Sequence, residues 1–146
     1  MTYLIRQLDL ERDLHDVHQL TIQLGYPSAL EKIKQRWEYL HQDSHYQTLV
    51  IKQDSHVIGY AGFIQEYTWE FDGGYLRIQA FVIEQAHRGK GIGKQLMAAI
   101  EQISKEQGFK MIQLNSGNRE ERYPAHTFYQ GLGFDSYSIG FRNHLE

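Results

Sequence analysis

The sequence predicts an α/β fold with a single mixed central β-sheet of about six or seven strands, flanked by about four helices. Two observations lead to this fold class. Apolar residues alternate with polar ones in some stretches, as in strands, and recur every three to four residues in others, as in helices. The resulting order, β-α-α-β-β-β-α-β-α-β, has an antiparallel front half and a β-α-β crossover behind it. We therefore expect helices on both faces of one sheet.

The N-terminal segment is expected to form one strand and two helices. Tyr3 to Leu8 alternates in the manner of a strand. Asp9 can cap a helix that Gly25-Tyr26-Pro27 stops, because glycine and proline end helices. Ser28 can cap the second helix, since Glu31 three residues later completes a capping box.

The middle of the chain is expected to form three consecutive strands. His45 to Lys52 and His56 to Tyr67 are rich in β-branched and aromatic residues, and the turn cluster Gln53-Asp54-Ser55 between them predicts a hairpin. A second turn at Asp72-Gly73-Gly74 leads into a strand from Tyr75 to Ile83.

The last third of the chain is expected to alternate between helices and strands. A helix begins at Ile92 and ends at Gly108, and Met111 to Leu114 forms a short buried strand. Pro124 opens another helix at its first position, which continues to about Leu132. Phe134 to Leu145 is expected to supply one or two final strands.

Length and composition predict one soluble domain over residues 1–146. Hydrophobic residues make up 41% of the chain and only two residues are proline, which suits a compact core rather than disorder. No apolar run reaches the roughly 18 residues of a membrane span, and the N-terminus lacks a signal peptide's apolar centre, so we expect a cytoplasmic protein with no membrane partner. The absence of cysteine removes disulfides and thiolate chemistry, and a formal charge of -3 gives no general attraction to nucleic acid.

A glycine-rich basic loop stands between the strand from Tyr75 and the helix from Ile92. It contains Gly89, Gly91 and Gly93 together with the cations Arg88, Lys90 and Lys94. The first N–H groups of a helix have no intrahelical partner, and the helix dipole adds positive potential, so such a turn binds anions. Three cations beside it suit a diphosphate better than a lone carboxylate.

Other interpretations of this loop fit less well. A Walker A loop ending at Gly93-Lys94 needs glycine in place of Arg88 and serine or threonine in place of Gln95. A dinucleotide fingerprint starting at Gly89 needs its third glycine at the position of Lys94. A plain strand-to-helix connection with solvated basic residues stays open, although three glycines in five residues cost backbone entropy that it has no need of.

The pattern Arg88-x-x-Gly91-x-Gly93, with the strand before it and the helix after it, resembles the acyl-CoA pyrophosphate loop of the GNAT (GCN5-related) N-acetyltransferase superfamily. The segment from Ala125 to Phe134, AHTFYQGLGF, resembles that family's A-x-x-F-Y-x-x-x-G-F motif. The order of strands and helices is similar as well, so the resemblance covers nearly the whole chain and implies the GNAT-like acyl-CoA N-acyltransferase fold. The first forty residues carry only a topological likeness.

This resemblance implies an acetyl-CoA-dependent N-acetyltransferase that transfers an acetyl group directly to a primary amine in a ternary complex, with acetyl-CoA as cosubstrate and no metal. It implies that backbone groups of Phe81, Val82 and Ile83 bind the pantetheine arm and that one of these amides polarises the thioester carbonyl. Tyr129 matches the family tyrosine that protonates the leaving thiolate, although aromatic side chains on a short helix also serve as core. The pyrophosphate is expected to lie on the loop residues Arg88, Gly89, Lys90, Gly91, Ile92, Gly93 and Lys94.

No sequence motif identifies the residue that acts as the general base. Glu84 follows the strand from Tyr75, and Glu66 and Glu70 belong to the preceding hairpin, so each is a candidate to take the amine proton through a water. His126 is another candidate, but a histidine on that helix also suits a structural hydrogen bond.

One position departs from the family pattern. Many relatives have asparagine shortly before the motif's alanine, where this chain has Arg122. Asn115 and Asn118 are nearby candidates for contacts with the cofactor, although this stretch also fits a plain turn. His15 and His18 share a helical face, but without a third ligand of convincing spacing we expect no metal site.

The identity of the acceptor amine is the part of the predicted function that the sequence determines least. We expect a small-molecule amine; the alternatives are a protein lysine or N-terminus and, from another class, a non-catalytic acyl-CoA-binding sensor. Aromatic residues between Tyr137 and Leu145 are candidates either for packing on a second copy, as a homodimer, or for completing the chain's own sheet. Candidates for an acceptor cleft that favours a cation are the aromatic residues Tyr26, Trp37, Tyr67, Trp69 and Phe71 and the acidic residues Glu66, Glu70 and Asp72.

Overall fold

Most of the helices and strands follow the order that the sequence predicts. A computed structural model describes residues 3–117 and 120–145. Two short 3-10 turns, Gln85–His87 and Glu120–Arg122, each precede a helix. In chain order the elements are β1 (Tyr3–Gln7), α1 (Leu10–Leu24), α2 (Leu30–Leu40), β2 (Tyr46–Gln53), β3 (His56–Glu66), β4 (Tyr75–Ile83), α3 (Ile92–Glu106), β5 (Ile112–Leu114) and α4 (Tyr123–Gly131).

The strands form one mixed sheet in the order β1-β2-β3-β4-β5, in which β1 to β4 are antiparallel neighbours. This confirms the predicted fold class, with five strands in the described residues instead of the six or seven expected. The register changes within the β3–β4 pair, because Gly62 lies opposite Ala80 and Phe63 lies opposite Ile78. Gln79 is therefore an extra residue in β4, and such a bulge bends the strand locally.

The sheet is covered on both faces. Successive side chains of a strand point to opposite faces, and Leu49, Val50 and Ile51 in β2 are all buried. Helix α3 contacts β3 and β4 with a buried face of Ile92, Leu96, Met97 and Ile100. Helices α1 and α2 cover the face that carries Val50, and their contribution to this core consists of Val17, Leu20, Ile33 and Trp37.

Helix α2 begins without the predicted capping box at Ser28. Its N-cap is Ala29, which makes no side-chain hydrogen bond to the helix. Glu31 is then the second helical residue instead of the third, so it cannot form the reciprocal pair of a capping box. The backbone carbonyl of Ser28 instead lies 2.7 Å from Nε2 of His18. This contact holds the residue before α2 against α1.

The segment after α4 does not form the one or two strands predicted for Phe134 to Leu145. Residues 134–145 contain neither helix nor strand, and Tyr137, Ile139 and Phe141 are largely exposed. A strand needs a neighbour that takes its backbone hydrogen bonds, and an alternating pattern does not supply one. Packing of this segment on a second copy of the chain stays a prediction.

The described residues fall into two compact units. The first ends at Gln113 and the second begins at Leu114. The prediction that the chain is a single domain stays a prediction. None of the helices in the described ranges combines the length and the apolar character that a membrane span needs.

Candidate active site

The C-terminal end of β4 has an edge that β5 does not cover. Phe81, Val82 and Ile83 pair with β3 on one side. β5 has only three residues, and the hydrogen bond from the Leu76 N–H to the carbonyl of Met111 joins this segment to the start of β4. Beyond the bulge the pairing described for β4 is with β3, and the other edge of a strand is where an extended ligand can add.

Arg88 closes the turn that follows this strand. Its Nε donates a hydrogen bond of 3.0 Å to the carbonyl of Ile83, while the Glu84 N–H on the other side of the chain donates to the carbonyl of Ile58 in β3. The Ile83 carbonyl therefore points away from β3, towards the open edge. The guanidinium joins the end of β4 to the loop, a role of Arg88 that the sequence analysis did not foresee.

Two glycines in the loop adopt a backbone conformation that other residues rarely take. Gly89 and Gly91 have φ of 81° and 79°, in the left-handed region. A Cβ at either position would meet nothing within 4 Å, so the backbone conformation rather than crowding by the protein favours glycine. The space in front of these two residues is open to a ligand.

Helix α3 begins at this loop with its N-terminus uncapped by a side chain. Gly91 is the N-cap residue, and the first turn contains no acidic residue. The N–H groups of the first turn and the helix dipole therefore present a positive end that no carboxylate of that turn offsets. The exposed cations beside it are Arg88, Lys90 and Lys94.

Glu84 lies directly after β4, close to a histidine. Its Oε2 is 3.6 Å from the Nε2 of His87, and both side chains are partly buried. They line a cleft of about 320 Å³ with Asp16, Asp54 and His56, where α1 meets the β2–β3 turn. A carboxylate and an imidazole together in a cleft have the chemistry to accept a proton from a bound amine.

Glu66, the second candidate base, is held at the opposite end of β4. Its carboxylate accepts hydrogen bonds from Arg77 Nε at 3.1 and 3.2 Å and from the Tyr75 hydroxyl at 2.5 Å. The hydrogen bond to Glu66 raises the pKa of the Tyr75 phenol. Since β4 is nine residues long, the glutamates at its two ends are separated by roughly 25–30 Å of strand. The exposed Glu70 lies in the same distal turn region as Glu66.

The aromatic candidates for an acceptor cleft do not form one group. Trp37 is buried against Tyr60, with ring centroids 5.1 Å apart, so it belongs to the core under α2. Its edge reaches a separate cleft of about 440 Å³ at the end of α2 that contains none of the other aromatic candidates. The other four candidates are exposed: Tyr26, Tyr67, Trp69 and Phe71.

In the second unit, Tyr129 is buried on α4 and has a cationic partner. Its ring lies 5.4 Å from that of Phe128 and 5.9 Å from that of Phe134. Burial raises the pKa of the Tyr129 phenol above its ordinary value, and the charge and hydrogen bond of Arg122 offset part of that rise. Such a phenol keeps its proton at neutral pH and has a cation beside the oxygen that becomes negative when the proton leaves.

Ser116 and Gly117, which follow β5, are tied to α4 by two side chains. Arg122 Nε donates to Ser116 Oγ at 3.3 Å, and His126 Nε2 lies 3.0 Å from the carbonyl of Gly117. His126 thus has a structural contact of the kind that the sequence analysis set against its role as a base. Asn115 precedes these anchored residues, whereas Asn118 lies outside the described residues.

The sequence analysis missed Arg122 as a partner of Tyr129 and treated it only as a departure from a family pattern. The signal was present in the spacing, because residues seven apart on a helix lie on the same face. Within residues 3–117 and 120–145, histidine and acidic side chains form no group of three that could hold a metal ion.

Comparison with known proteins gives consistent findings. The sequence model of the acetyltransferase (GNAT) family matches residues 12–134. The N-acetyltransferase family 8 member 2 of Rattus norvegicus is 36% identical over 59 residues, which are 40% of this chain and only 25% of that protein. A GNAT family acetyltransferase of Staphylococcus aureus is 31% identical and has a TM-score of 0.84, with 99% of this chain and 100% of that chain covered. An aminoglycoside N-acetyltransferase solved in complex with CoA shares the fold at 21% identity, with a TM-score of 0.81 over 99% of this chain and 96% of the other.

Proposed function

The chain belongs to the acetyltransferase (GNAT) family, and from this premise we propose that it transfers an acetyl group from acetyl-CoA directly to a primary amine. The observation that carries the proposal is the uncapped N-terminus of α3, with two left-handed glycines and three cations, at the end of a strand whose edge is open. A diphosphate fits this place because backbone N–H groups, the helix dipole and basic side chains all favour negative charge there.

The cofactor roles in this proposal are those that the resemblance to the family implies. Backbone groups of Phe81, Val82 and Ile83 bind the pantetheine arm along the open edge of β4, and one of their amides polarises the thioester carbonyl. Asn115 is a further contact of the cofactor. The bound thioester supplies the acetyl group and a leaving thiolate, and the pyrophosphate lies on Arg88, Gly89, Lys90, Gly91, Ile92, Gly93 and Lys94.

Two side chains move protons in this proposal. Glu84, directly or through a water, takes a proton from the amine that attacks, and its contact with His87 supports this role. Tyr129 gives the phenolic proton to the departing thiolate, and the burial that keeps this phenol protonated supports its assignment. No covalent bond to the protein is needed, because binding both substrates together supplies the required proximity.

We propose a small-molecule amine as the acceptor. The cleft beside Glu84 has about the smallest volume of ordinary ligand pockets, and its acidic residues Asp16 and Asp54 suit a cationic amine. The aminoglycoside N-acetyltransferase that shares the fold is named for a small amine, which agrees with this choice. A protein lysine or N-terminus is the alternative acceptor, and a non-catalytic acyl-CoA sensor is the alternative function.

Release of free thiol from acetyl-CoA tests the proposal. We expect thiol release to depend on an added amine from a panel of polyamines, amino sugars and amino-acid derivatives. Because the chain contains no cysteine, a chromogenic thiol reagent reports only the CoA that is released. Turnover with a peptide library but with no small amine would make the protein-directed alternative correct. Binding of CoA without thiol release from any acceptor would support the sensor.

Arg88→Ala is expected to raise the dissociation constant for CoA about tenfold, because it removes a cation from the anion site. It also removes the hydrogen bond from Arg88 Nε that holds the loop to Ile83. The turnover number at saturating acetyl-CoA should change much less. Calorimetric titration with CoA measures the first quantity, and steady-state kinetics the second.

Two further variants separate the effects at Arg88. Arg88→Lys keeps the charge but cannot reproduce the guanidinium geometry, so an intermediate affinity is expected. Arg142→Ala, at an exposed arginine of the second unit, is the control for loss of one positive charge and should bind CoA as the unaltered protein does. An unchanged dissociation constant in Arg88→Ala refutes the assignment of Arg88 to the cofactor.

A further inference from the structure

Gly59 is a buried glycine inside a strand, at a position where three strands lie close together. It belongs to β3 and pairs with Ile83 of β4 on one side and with Ile51 of β2 on the other. Its φ lies outside the left-handed region, so the backbone conformation does not require glycine. Glycine in the interior of a strand weakens the strand and often marks a close approach of another backbone.

Crowding by β4 is the reason for glycine at this position. A Cβ on residue 59 would lie 2.7 Å from Ile83 Cδ1, 2.9 Å from the carbonyl oxygen of Val82 and 3.0 Å from Ile51 Cγ2. The contact with Ile83 is to the end of a side chain, which can turn aside, whereas the Val82 oxygen belongs to the backbone. That carbonyl would have to move by about 0.5 Å to reach the 3.4 Å at which ordinary contact begins.

The other glycine of β3 is not crowded in this way. A Cβ on Gly62 would meet Ala80 Cβ and Thr48 Oγ1, both at 3.9 Å, which is ordinary van der Waals contact. The close approach of β3 to the backbone of β4 is therefore a property of Gly59 and not of both glycines.

The Val82 carbonyl is one end of a peptide group whose other end lies on the far edge of β4. In a trans peptide the C=O and the following N–H lie in one plane and point in opposite directions. Because the Val82 carbonyl lies on the side of β3, the N–H of Ile83 points to the edge away from β3. The Ile83 carbonyl, which accepts the hydrogen bond from Arg88, points to that edge as well. A push on the Val82 carbonyl therefore displaces the Ile83 N–H.

We propose that Gly59 is a positioning residue for the cofactor: the room that it leaves for the Val82 carbonyl sets the place of the Ile83 N–H, which donates to the pantetheine arm. This inference rests on the proposed function. Ile83 is the last residue of β4 before the loop that is assigned to the pyrophosphate, so its N–H meets the end of the arm that adjoins the diphosphate. Gly59 itself touches no part of the cofactor.

Two probes that differ only in the pantetheine arm test this role. Calorimetric titrations compare Gly59→Ala, Gly62→Ala and the unaltered protein, with CoA and with its 3′-phospho-ADP fragment, which has the diphosphate but no arm. In Gly59→Ala we expect the dissociation constant for CoA to rise about fivefold, as expected for the loss of one hydrogen bond, and that for the fragment to stay unchanged. Gly62→Ala adds the same methyl group to the same strand where there is room for it, so it should bind both probes as the unaltered protein does.

Two results of these titrations overturn the proposal. An equal loss of affinity for both probes in Gly59→Ala shows that the added methyl group distorts the site in general. Equal affinities of Gly59→Ala and Gly62→Ala for CoA show that residue 59 does not act on the cofactor.

A second variant serves if thermal melting shows that Gly59→Ala does not fold. Gly59→Ala combined with Ile83→Val removes Cδ1, the atom in the closest contact, and keeps the contact with the Val82 carbonyl. This double variant should also lose affinity for CoA and not for the fragment. Full affinity for CoA in it shows that crowding of side chains, and not the peptide group, matters at this position, which overturns the proposal.

A failure of the proposed function gives a different result, because the unaltered protein itself then does not bind CoA. The amide ¹⁵N and ¹H chemical shifts of Ile83 report on its N–H without any ligand. A shift change in Gly59→Ala that is absent in Gly62→Ala supports the positioning of this peptide group by Gly59. An Ile83 signal that neither substitution moves overturns it.

Discussion

Tyr129→Phe is expected to lower the turnover number on the order of a hundredfold, because a positioned general acid contributes about that factor or more to a proton transfer. The substitution removes only the hydroxyl group. The ring contacts with Phe128 and Phe134 remain, so we expect the variant to fold and to bind CoA. Steady-state kinetics at saturating acetyl-CoA and amine, together with calorimetric CoA binding, separate the loss of turnover from any loss of affinity.

The pH profile distinguishes an acid from a packing residue. The acid must carry its proton, and burial raises the pKa of the Tyr129 phenol above its ordinary value of 10.0. Activity should therefore persist through neutral pH and fall only as the pH rises through that elevated pKa. Tyr129→Phe should lack this alkaline decrease. Tyr39→Phe, at an exposed tyrosine of α2, is the control and should behave as the unaltered enzyme does. Wild-type turnover by Tyr129→Phe across the whole pH range makes Tyr129 a packing or positioning residue.

The part of the chain from β4 to α3 is the part that the sequence predicts best. The bounds Tyr75 and Ile83 of the strand and the start of the helix at Ile92 are confirmed. The reason is that the signals are local: the apolar strand pattern ends at Ile83, a few residues before the first glycine of the loop, and helical periodicity starts after Gly91. The left-handed φ of Gly89 and Gly91, which favours glycine at both positions, was not part of that prediction.

The sequence could not predict contacts that depend on strand register. Glu66 is a candidate base as long as its partner is unknown, but the pairing of β3 with β4 brings it to Tyr75 and Arg77. The sequence similarly allows Trp37 to lie either in a cleft or in the core. It is buried because α2 packs on Tyr60. A periodic pattern shows which face of an element is apolar and not which element covers it.

The prediction of strands in the C-terminal segment was wrong for a different physical reason. The alternation of Tyr137, Ile139 and Phe141 is typical of a strand, yet the structure leaves these side chains exposed and outside regular structure. Strand formation depends on a partner edge with matching register, which no pattern within the segment encodes.

Lys94→Glu is expected to raise the dissociation constant for CoA on the order of a hundredfold while leaving the protein at least as stable as before. Residue 94 is the third residue of α3, a position from which a glutamate side chain can reach back to the N–H of the N-cap residue Gly91. A carboxylate in the first turn also favours the helix dipole, by about 0.3–1 kcal/mol. The same carboxylate would occupy N–H groups proposed for the pyrophosphate and would repel its charge at short range.

Opposite effects on stability and binding make this substitution a direct test of the loop. Calorimetric titration with CoA should show the loss of affinity, and thermal melting should show an unchanged or raised midpoint. Lys110→Glu is the matched control, because it makes the same charge change at an exposed position beyond the other end of α3. From Lys94 to the last helical residue, Glu106, the helix rises about 18 Å, about twice the Debye length at physiological salt. If Lys94→Glu and Lys110→Glu bind CoA equally well, the N-terminus of α3 is not the diphosphate site, and the glycines of the loop serve only its turn.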